Sequence, residues 1–396
     1  MNHSLITIEE SKTVDQKIQA TTPYASIFRE VVSKAIELGA SDIHIEPYKG
    51  GIRILFRVDG ERSLYKTLDS LHRQSFINEA KHLASLSIAR KGKIQDARAS
   101  YPSLKLDIRA SILPVIHDDN LVMRLLDTSR NIDIADSGFD LTTLEQLKEL
   151  TKMQNGLVLI SGPTGSGKTS TLYGLINQID RIKKNVITIE NPVEKEIDWA
   201  SQVEIKDKKL TFADALKASM RQDPDIILVG EIRDRESAEL ALEAAGTGHL
   251  VFSTIHANNA LDVISRLDDL KVSLPKIKSY LRFSAAQRLI KKLCPDCKLP
   301  ISPENLKDFK RYLKANSLGL DDYSQVMQRN PNGCKKCSRI GENGVSGRLP
   351  ILEYVNKTQI TNFLNGVASN HTDMKEAALN KAKDGLICFS QIKEIE

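Results

Sequence analysis

The sequence contains no long hydrophobic run. None of its apolar stretches approaches the ~20 residues that a membrane-spanning helix requires. Its first twenty residues are polar and mixed in charge, without the apolar core of a signal peptide. We therefore expect a cytoplasmic protein. A chain of 396 residues is too long for one ordinary hydrophobic core, so two or three domains are expected.

Cysteine is scarce, and its placement is informative. Four of the five cysteines form two CxxC pairs, Cys294 with Cys297 and Cys334 with Cys337. Four thiolates in paired knuckles suit tetrahedral Zn²⁺ in a structural site. Thiol–disulfide chemistry is the alternative, but neither pair precedes a thioredoxin-like helix. The 36 residues between the pairs predict a helical excursion, and Cys388, alone in an apolar segment, is expected to pack.

The sequence does contain a complete phosphate-binding loop. Residues 162–169 read GPTGSGKT, follow the apolar run 157–160 and precede the helix-compatible residues 170–179. This is the strand, loop and helix context that the motif demands. Lys168 is expected on the β- and γ-phosphates of ATP, and the Thr169 hydroxyl on Mg²⁺. The predicted ATP-binding residues are Gly162, Pro163, Thr164, Gly165, Ser166, Gly167, Lys168, Thr169 and Ser170.

Three further strands are predicted to deliver polar side chains to the same edge of a sheet. Two of them end at Glu190 and Glu231, and the third ends at His256. Ligands of α/β sheets bind at the carboxyl ends of the strands. Glu231 is the best candidate to polarise the attacking water or to hold the water shell of the metal, and His256 is a candidate γ-phosphate contact. Strands and helices alternate to about residue 290, which predicts a doubly wound, mostly parallel sheet.

The first third of the chain predicts a small α+β domain at residues 23–130, preceded by a flexible arm at 1–22. Its predicted elements are a helix at 26–38, strands at 41–47 and 52–58, a helix at about 68–90, and strands at 104–113 and 121–126. On the strand that starts at residue 104, alternation turns Leu104 and Ile108 toward the core and Asp107 and Arg109 toward the exposed face.

Arg109 shares its exposed face with Arg124 on the next predicted strand. The pattern alone favours a solvated strand face for both. The functional alternative is that they reach a nucleotide bound by a neighbouring subunit, because a guanidinium delivered in trans stabilises the transferring phosphoryl group.

A polar linker is predicted at 131–137, after the α+β domain. The remaining residues, 138–396, are predicted to form the ATPase domain, whose first helix has a capping box at residues 142–145.

Together these motifs resemble the type II secretion and type IV pilus assembly ATPases, the GspE/PulE-like family of secretion motors. The resemblance covers nearly the whole chain from Ser41 onward. The matching segments are SDIHIEP at 41–47, FRVDG at 56–60, the phosphate loop, IENPVE at 189–194, GEIRD at 230–234, and GTGH to TIHAN between 246 and 258. The cysteine module followed by Gly347-Arg348 is similar to the assembly and secretion branch, since retraction motors lack it.

The resemblance implies a fold, a site and a set of partners. The fold would be a RecA-like P-loop ATPase domain with a smaller N-terminal α+β (PAS-like) domain and a tetracysteine zinc subdomain at 291–350. Glu231 would be the catalytic carboxylate, Glu190 would assist with metal and water, and Arg109 and Arg124 would contact ATP. This implication overrides the solvated-face interpretation of the two arginines.

The implied protein is a hexameric ATPase that powers assembly of a type IV pilus or a type II secretion pseudopilus. It would use ATP with Mg²⁺ and a structural Zn²⁺. It would be cytoplasmic but peripherally attached to the inner membrane, through a platform protein (GspF/PilC-like) and a cytoplasmic recruitment protein. No specific nucleic acid is expected as a partner.

Two departures from the family pattern stand out, and the chain is expected to be a short form without the extra N-terminal domain of many members. Asn191 replaces the aspartate of Glu-Asp-Pro, and Asp118-Asp119-Asn120 replaces the usual Gly-Glu before the strand of Arg124.

Three alternative functions remain at this point. They are a DNA-uptake pilus ATPase, a RecA-like motor that translocates nucleic acid, and a nucleotide-gated scaffold that hydrolyses little ATP. Aromatic residues make up only 5% of the chain and its net charge is +5. A nucleic-acid groove needs stacking platforms beside basic residues, so the composition disfavours the nucleic-acid motor.

Overall fold

The computed structural model describes residues 23–127, 133–206, 209–319, 322–337, 343–368 and 370–395. The expected arm at 1–22 and the start of the expected linker, at 131–132, lie outside these residues. Within the described part, contacts divide the chain into two compact units, one drawn from 1–131 with 331–344 and the other from 132–330 with 345–396.

In its described residues, the first unit contains a six-stranded antiparallel sheet and two α-helices. In chain order its elements are α1 (Pro23–Glu37), β1 (Ala40–Tyr48), β2 (Gly51–Val58), β3 (Glu61–Asp69), α2 (Arg73–Leu83), β4 (Gln95–Tyr101), β5 (Leu106–Val115) and β6 (Asp118–Asp127). The strand order is β3-β2-β1-β6-β5-β4. Alternation decides which side chains are buried: Ile52, Ile54, Phe56 and Val58 of β2 lie in the core with the apolar faces of both helices.

Two predictions for this unit were wrong at the sheet edges. The helix expected at about 68–90 spans only Arg73–Leu83, because residues 61–69 form the edge strand β3. The opposite edge strand, β4, was not predicted at all. Edge strands bury little apolar surface, so their sequences carry a weak period-two signal: β3 is largely exposed along its length.

The predicted start of β5 was also wrong. Leu104 does not face the core; it belongs to a 3₁₀ turn at Pro102–Leu104 and is 48% exposed. Lys105 then takes a left-handed conformation (φ 49°), which breaks the alternation. Asp107 was expected on the exposed face but is only 6% exposed, because Arg98 of β4 pairs with its carboxylate.

The second unit is built on a seven-stranded sheet of order β15-β12-β7-β11-β10-β8-β9. Its strands are β7 (Gly156–Ser161), β8 (Val186–Glu190), β9 (Ser201–Glu204), β10 (Ile226–Val229), β11 (Leu250–Ile255), β12 (Leu281–Leu293) and β15 (Val345–Asn356). All neighbouring pairs are parallel except the edge pair of β12 with β15. This confirms the mostly parallel, doubly wound sheet.

Helices cover both faces of this sheet. They are α3 (Leu141–Leu150), α4 (Lys168–Asn177), α5 (Phe212–Ser219), α6 (Arg235–Gly246), α7 (Asp262–Asp269) and α8 (Leu274–Tyr280). Successive side chains of β7 point to opposite faces of the sheet and belong to two different cores. Leu157 and Leu159 pack with α6, whereas Val158 and Ile160 pack with α4. The cap predicted for α3 was wrong by two residues, since Asp140, rather than Thr142, accepts from the Thr143 N–H.

The remaining elements follow β12. They are the short hairpin strands β13 (Leu299–Pro300) and β14 (Met327–Gln328), and the helices α9 (Pro303–Ala315), α10 (Lys357–Leu364), α11 (Met374–Lys383) and α12 (Phe389–Ile392). Helix α9 is the helical excursion expected between the two cysteine pairs. Phe309 and Leu313 of α9 bury against Phe389 and Ile392 of α12 in a separate small core.

Candidate functional site

The phosphate loop connects the buried strand β7 to α4. Three glycines give it its shape: Gly162, Gly165 and Gly167 all have positive φ, at 144°, 78° and 85°. Such values are strained for residues with a Cβ atom. Gly167 is the N-cap of α4, so the N-terminus of this helix lies at the end of a glycine-rich turn. Helix N-termini of this kind bind phosphate groups.

Lys168 is folded back over the loop. Its Nζ donates to the carbonyl oxygens of Gly162 and Pro163, at 2.8 and 2.9 Å. Burial lowers the pKa of Lys168, whereas the negative charge of Glu231 acts in the opposite direction. The ammonium group and the Glu231 carboxylate therefore belong to one electrostatic site.

Glu231 lies two residues beyond the end of β10. Its carboxylate pairs with Arg233, which raises the pKa of the arginine, and its side chain remains 20% exposed. The turn that carries it is fixed to the neighbouring strand, because Thr254 Oγ1 donates to Gly230 O at 2.7 Å and Ile232 N donates to Thr254 O at 2.8 Å. This turn thus holds a carboxylate at the open end of the parallel sheet.

Glu190 ends β8 and is only 3% exposed. Its carboxylate accepts three hydrogen bonds: from Tyr173 Oη, from Thr188 Oγ1 at 2.6 Å and from Gln202 Nε2 at 3.3 Å. Burial and the adjacent carboxylate raise the pKa of Tyr173, so its hydroxyl remains a donor. Sequence reasoning selected Glu190 but not the residues that hold it, because buried tyrosine and glutamine have no distinctive spacing.

His256 lies just beyond β11 and is exposed. Asn258, two residues on, accepts from Arg288 Nη2 at 3.0 Å through its carbonyl oxygen. The Ala260 N–H donates to the buried Glu353 carboxylate at 2.9 Å, and Ser284 Oγ donates to Ala260 O at 2.6 Å. Strands β12 and β15 therefore anchor the loop that begins at His256.

Arg109 and Arg124 lie directly opposite each other in the register of β5 and β6. The Arg124 side chain is 57% exposed, and its Nε donates to Asp42 Oδ1 at 3.0 Å. The two arginines belong to a cross-strand row that spans the whole six-stranded sheet. In register order the row is Arg62, Arg57, Asp42, Arg124, Arg109 and Arg98.

This row concentrates positive charge on one line of the open sheet face. Five guanidinium groups share it with Asp42, which is buried between Arg57 and Arg124. Arg62 and Arg98, at the two ends of the row, also pair with Glu46 and Asp107. Guanidinium groups bind phosphate oxygens in a bidentate manner. Arg62 and Arg98 had not been singled out, since both lie on the edge strands whose existence was not predicted.

The four cysteines of the two CxxC pairs lie close together in the structure. Their Sγ atoms all lie within 4.8 Å of one another, and Cys294 and Cys337 are buried. The Sγ atoms of Cys334 and Cys337 are 3.6 Å apart, close to the ~3.8 Å edge of a tetrahedron with Zn–S bonds of about 2.3 Å. Cys337 Sγ also accepts from the Cys334 and Gly344 amides, at 3.1 and 3.2 Å. These contacts fit a zinc-bound thiolate.

No helix among the described residues has the length and apolar character that a bilayer crossing needs.

Comparison with known proteins agrees with this site. The family model described as "Type II/IV secretion system protein" matches residues 17–393. The chain is 34% identical to type II secretion system protein E of Klebsiella pneumoniae over 94% of its own length and 76% of the relative. It is 36% identical to the type IV pilus assembly ATPase PilB of Myxococcus xanthus over 88% of its own length and 62% of the relative.

Solved structures show the same fold. The pilus retraction motor PilT with bound ADP is 26% identical and superposes with a TM-score of 0.61, over 93% of this chain and 96% of that one. The Legionella pneumophila ATPase DotB, at 21% identity, gives a TM-score of 0.67 over 93% and 95%. The expected family and the expected RecA-like fold are thus confirmed. The chain belongs to the type II secretion and type IV pilus assembly ATPase family, and it is an ATP-hydrolysing enzyme.

Proposed function

We propose that this protein is a hexameric motor that hydrolyses ATP to power assembly of a type IV pilus or a type II secretion pseudopilus. One observation carries the proposal: Lys168 is folded over a glycine-rich loop at the N-terminus of α4, and Glu231 lies just beyond β10 at the carboxyl edge of the same sheet. A phosphate clamp and a water-polarising carboxylate are the two groups that phosphoanhydride hydrolysis needs most. The family relatives support the link to filament assembly.

Each residue of the cradle has a role in this proposal. The backbone N–H groups of residues 162–170, apart from Pro163, which has none, would bind the phosphates. Lys168 would neutralise charge on the β- and γ-phosphates, and the Thr169 hydroxyl would ligate Mg²⁺. Glu231 accepts a proton from the attacking water. The buried and triply hydrogen-bonded Glu190 orients groups around the metal, and His256 contacts the γ-phosphate.

Arg109 and Arg124 complete the site from a second subunit. Their cross-strand pairing and the exposure of Arg124 suit a guanidinium pair that meets a triphosphate outside its own unit. Charge stabilised in trans appears only while the γ-phosphoryl group is being transferred. Each hydrolysis event would thereby change the contact between neighbouring subunits.

The cysteine module would hold one structural Zn²⁺ per chain, through Cys294, Cys297, Cys334 and Cys337. A bound zinc ion would cross-link the two CxxC pairs and would stabilise a small subdomain at 291–350. We divide the whole chain into an arm at 1–22, an α+β domain at 23–130, a linker at 131–137 and an ATPase domain at 138–396. The zinc subdomain lies within the ATPase domain.

The proposed partners are further copies of the same chain, an inner-membrane platform protein (GspF/PilC-like) and a cytoplasmic recruitment protein. The protein would work in the cytoplasm, in peripheral contact with the inner membrane. Force generated between subunits would then act on the platform protein, which adds pilin-like subunits to the filament.

The proposal is tested with Glu231→Gln. This change keeps the size of the side chain but removes the proton acceptor, so we expect kcat to fall by about 10²- to 10⁴-fold. ATP affinity should stay nearly unchanged, because the lost interaction acts in the transition state. Cells carrying the variant should lose filament assembly or secretion. Glu236→Gln, on the exposed start of α6, is the matched control and should behave as wild type.

Unchanged ATPase and unchanged export in Glu231→Gln would refute the motor assignment. Lost hydrolysis with normal export would favour a nucleotide-gated scaffold instead. Salt-sensitive stimulation of hydrolysis by added DNA or RNA would favour the nucleic-acid motor.

A further inference from the structure

Strand β12 passes beside the phosphate loop and carries a buried amide there. Gln287 is 1% exposed, and both ends of its side chain are bonded. Its Nε2 donates to Ser166 O at 2.8 Å, and its Oε1 accepts from Thr171 Oγ1 at 2.8 Å. The orientation of the amide is determined, because a backbone carbonyl can only accept a hydrogen bond.

The Ser166 carbonyl and the Gly167 N–H belong to the same peptide bond. In a planar trans peptide, C=O and N–H point in opposite directions. Because Gln287 Nε2 donates to Ser166 O, the N–H of Gly167 must point away from Gln287. In the proposed nucleotide site, this N–H is one of those that bind phosphate. Gln287 therefore fixes the direction of one of the amides at the start of α4.

The two outer glycines of the loop are fitted to the same stretch of β12. A Cβ atom at Gly167 would lie 2.9 Å from Gln287 Nε2, and one at Gly162 would collide with the Gln287 carbonyl oxygen. Arg288, the next residue, ties this part of β12 to the loop after His256 through Asn258 O. The shape of the loop thus depends on a strand more than a hundred residues later in the chain.

We propose that Gln287 is a positioning residue that keeps the phosphate loop in its phosphate-binding shape before nucleotide arrives. The inference rests on the proposed nucleotide site. Without the Ser166 bond, the peptide between Ser166 and Gly167 can rotate, and the loop must be reordered each time a phosphate binds. Gln287 acts through the loop and needs no contact with the substrate.

The test uses Gln287→Met, which keeps the approximate length of the side chain and removes both hydrogen bonds. We measure equilibrium binding of a fluorescent ATP analogue with Mg²⁺, together with KM and kcat. One neutral hydrogen bond suggests that affinity falls by about three- to tenfold. KM should rise to a similar extent, whereas kcat at saturation should change by less than about twofold, because loop order affects ground state and transition state alike.

Thr171→Val is the matched control, because it deletes the other bond of the same amide and leaves Ser166 O held. It should bind nucleotide within about twofold of wild type. If Gln287→Met does not fold, Gln287→Glu replaces it. That variant keeps the acceptor for Thr171 but faces Ser166 O with an oxygen, and it should lose affinity in the same way.

The inference is overturned if the folded Gln287 variant binds nucleotide as tightly as wild type, or if Thr171→Val weakens binding equally. Either result would make the amide a general packing feature. Failure of the wild-type protein itself to bind the ATP analogue would refute the proposed nucleotide site instead, so the two failures can be told apart.

Discussion

Replacing Tyr173 by phenylalanine removes one of three hydrogen-bond donors from a buried carboxylate. The Tyr173 hydroxyl of α4 donates to Glu190, which ends β8 and is 3% exposed. Phenylalanine has nearly the same shape, so the surrounding core stays filled. The substitution therefore isolates the hydrogen bond between the helix that follows the phosphate loop and the acidic end of the neighbouring strand.

The expected loss follows from the geometry. A hydrogen bond to a charged group contributes about 1.5–3 kcal/mol, and a buried acceptor left short of donors costs a similar amount. Thr188 and Gln202 continue to donate to Glu190 in the variant. The loss of stability should therefore lie toward the lower end of this range. We predict that the free energy of unfolding of this domain falls by about 2 kcal/mol, which lowers the urea midpoint by about 1 M.

Urea unfolding measures this loss directly. Far-UV circular dichroism follows the unfolding, because the only tryptophan of the sequence, Trp199, is already 76% exposed in the folded chain and its fluorescence would change little. Tyr354→Phe is the matched control, because Tyr354 is a half-buried tyrosine of the same unit that stacks on Phe283. It should change stability by less than about 0.5 kcal/mol. Equal midpoints for the two variants would refute the view that Tyr173 stabilises the buried carboxylate.

Two further predictions concern the cysteine module and the six-stranded sheet. Cys294→Ser should lower the zinc content of purified protein and destabilise the subdomain without abolishing ATP binding; four titratable thiols and no zinc in the wild type would contradict this. Asp119→Ala should destabilise the first unit by about 3–5 kcal/mol, because it leaves buried Lys81 without its partner. Replacing both residues by apolar ones should recover most of that stability, and a double variant as unstable as the single one would exclude the ion-pair explanation.

The phosphate loop of the proposed nucleotide site could be predicted because the residues that shape it are consecutive in the sequence. The glycine and lysine positions of the phosphate loop restrict the backbone so strongly that strand, loop and helix all lie where the motif requires. Glu231 follows a short apolar strand, and that pattern alone places it at the ligand-binding edge. Local sequence therefore determined the cradle and its neighbouring carboxylate.

The supporting residues could not be predicted in this way. Gln287 meets Ser166 across 121 positions of sequence, and Tyr173 meets Glu190 through a fold that only the complete sheet creates. A single buried polar side chain of this kind leaves the hydrophobic periodicity of its strand or helix intact, so the sequence pattern does not reveal it. They are found by asking which donor satisfies each buried acceptor.

The first unit shows a different reason for failure. Edge strands bury little apolar surface: β3 is largely exposed, and the inward positions of β4 are mostly small or polar residues (Gln95, Ala97 and Ala99), so neither sequence has a clear apolar alternation and both strands were missed. Asp107 was consequently assigned to an exposed face, although Arg98 of the missed strand β4 covers it. The departure at residues 118–120 also has an explanation, since Asp119 pairs with the buried Lys81.

The central claim is that the phosphate loop of one subunit is completed by arginines of another. Mixing Lys168→Ala with Arg124→Ala tests it, because each variant alone should be inactive. In mixed hexamers about one interface in four joins an intact phosphate loop to an intact arginine, so we predict recovery of roughly a quarter of wild-type ATPase activity. No recovery, in mixtures shown to form mixed oligomers, would contradict the shared site.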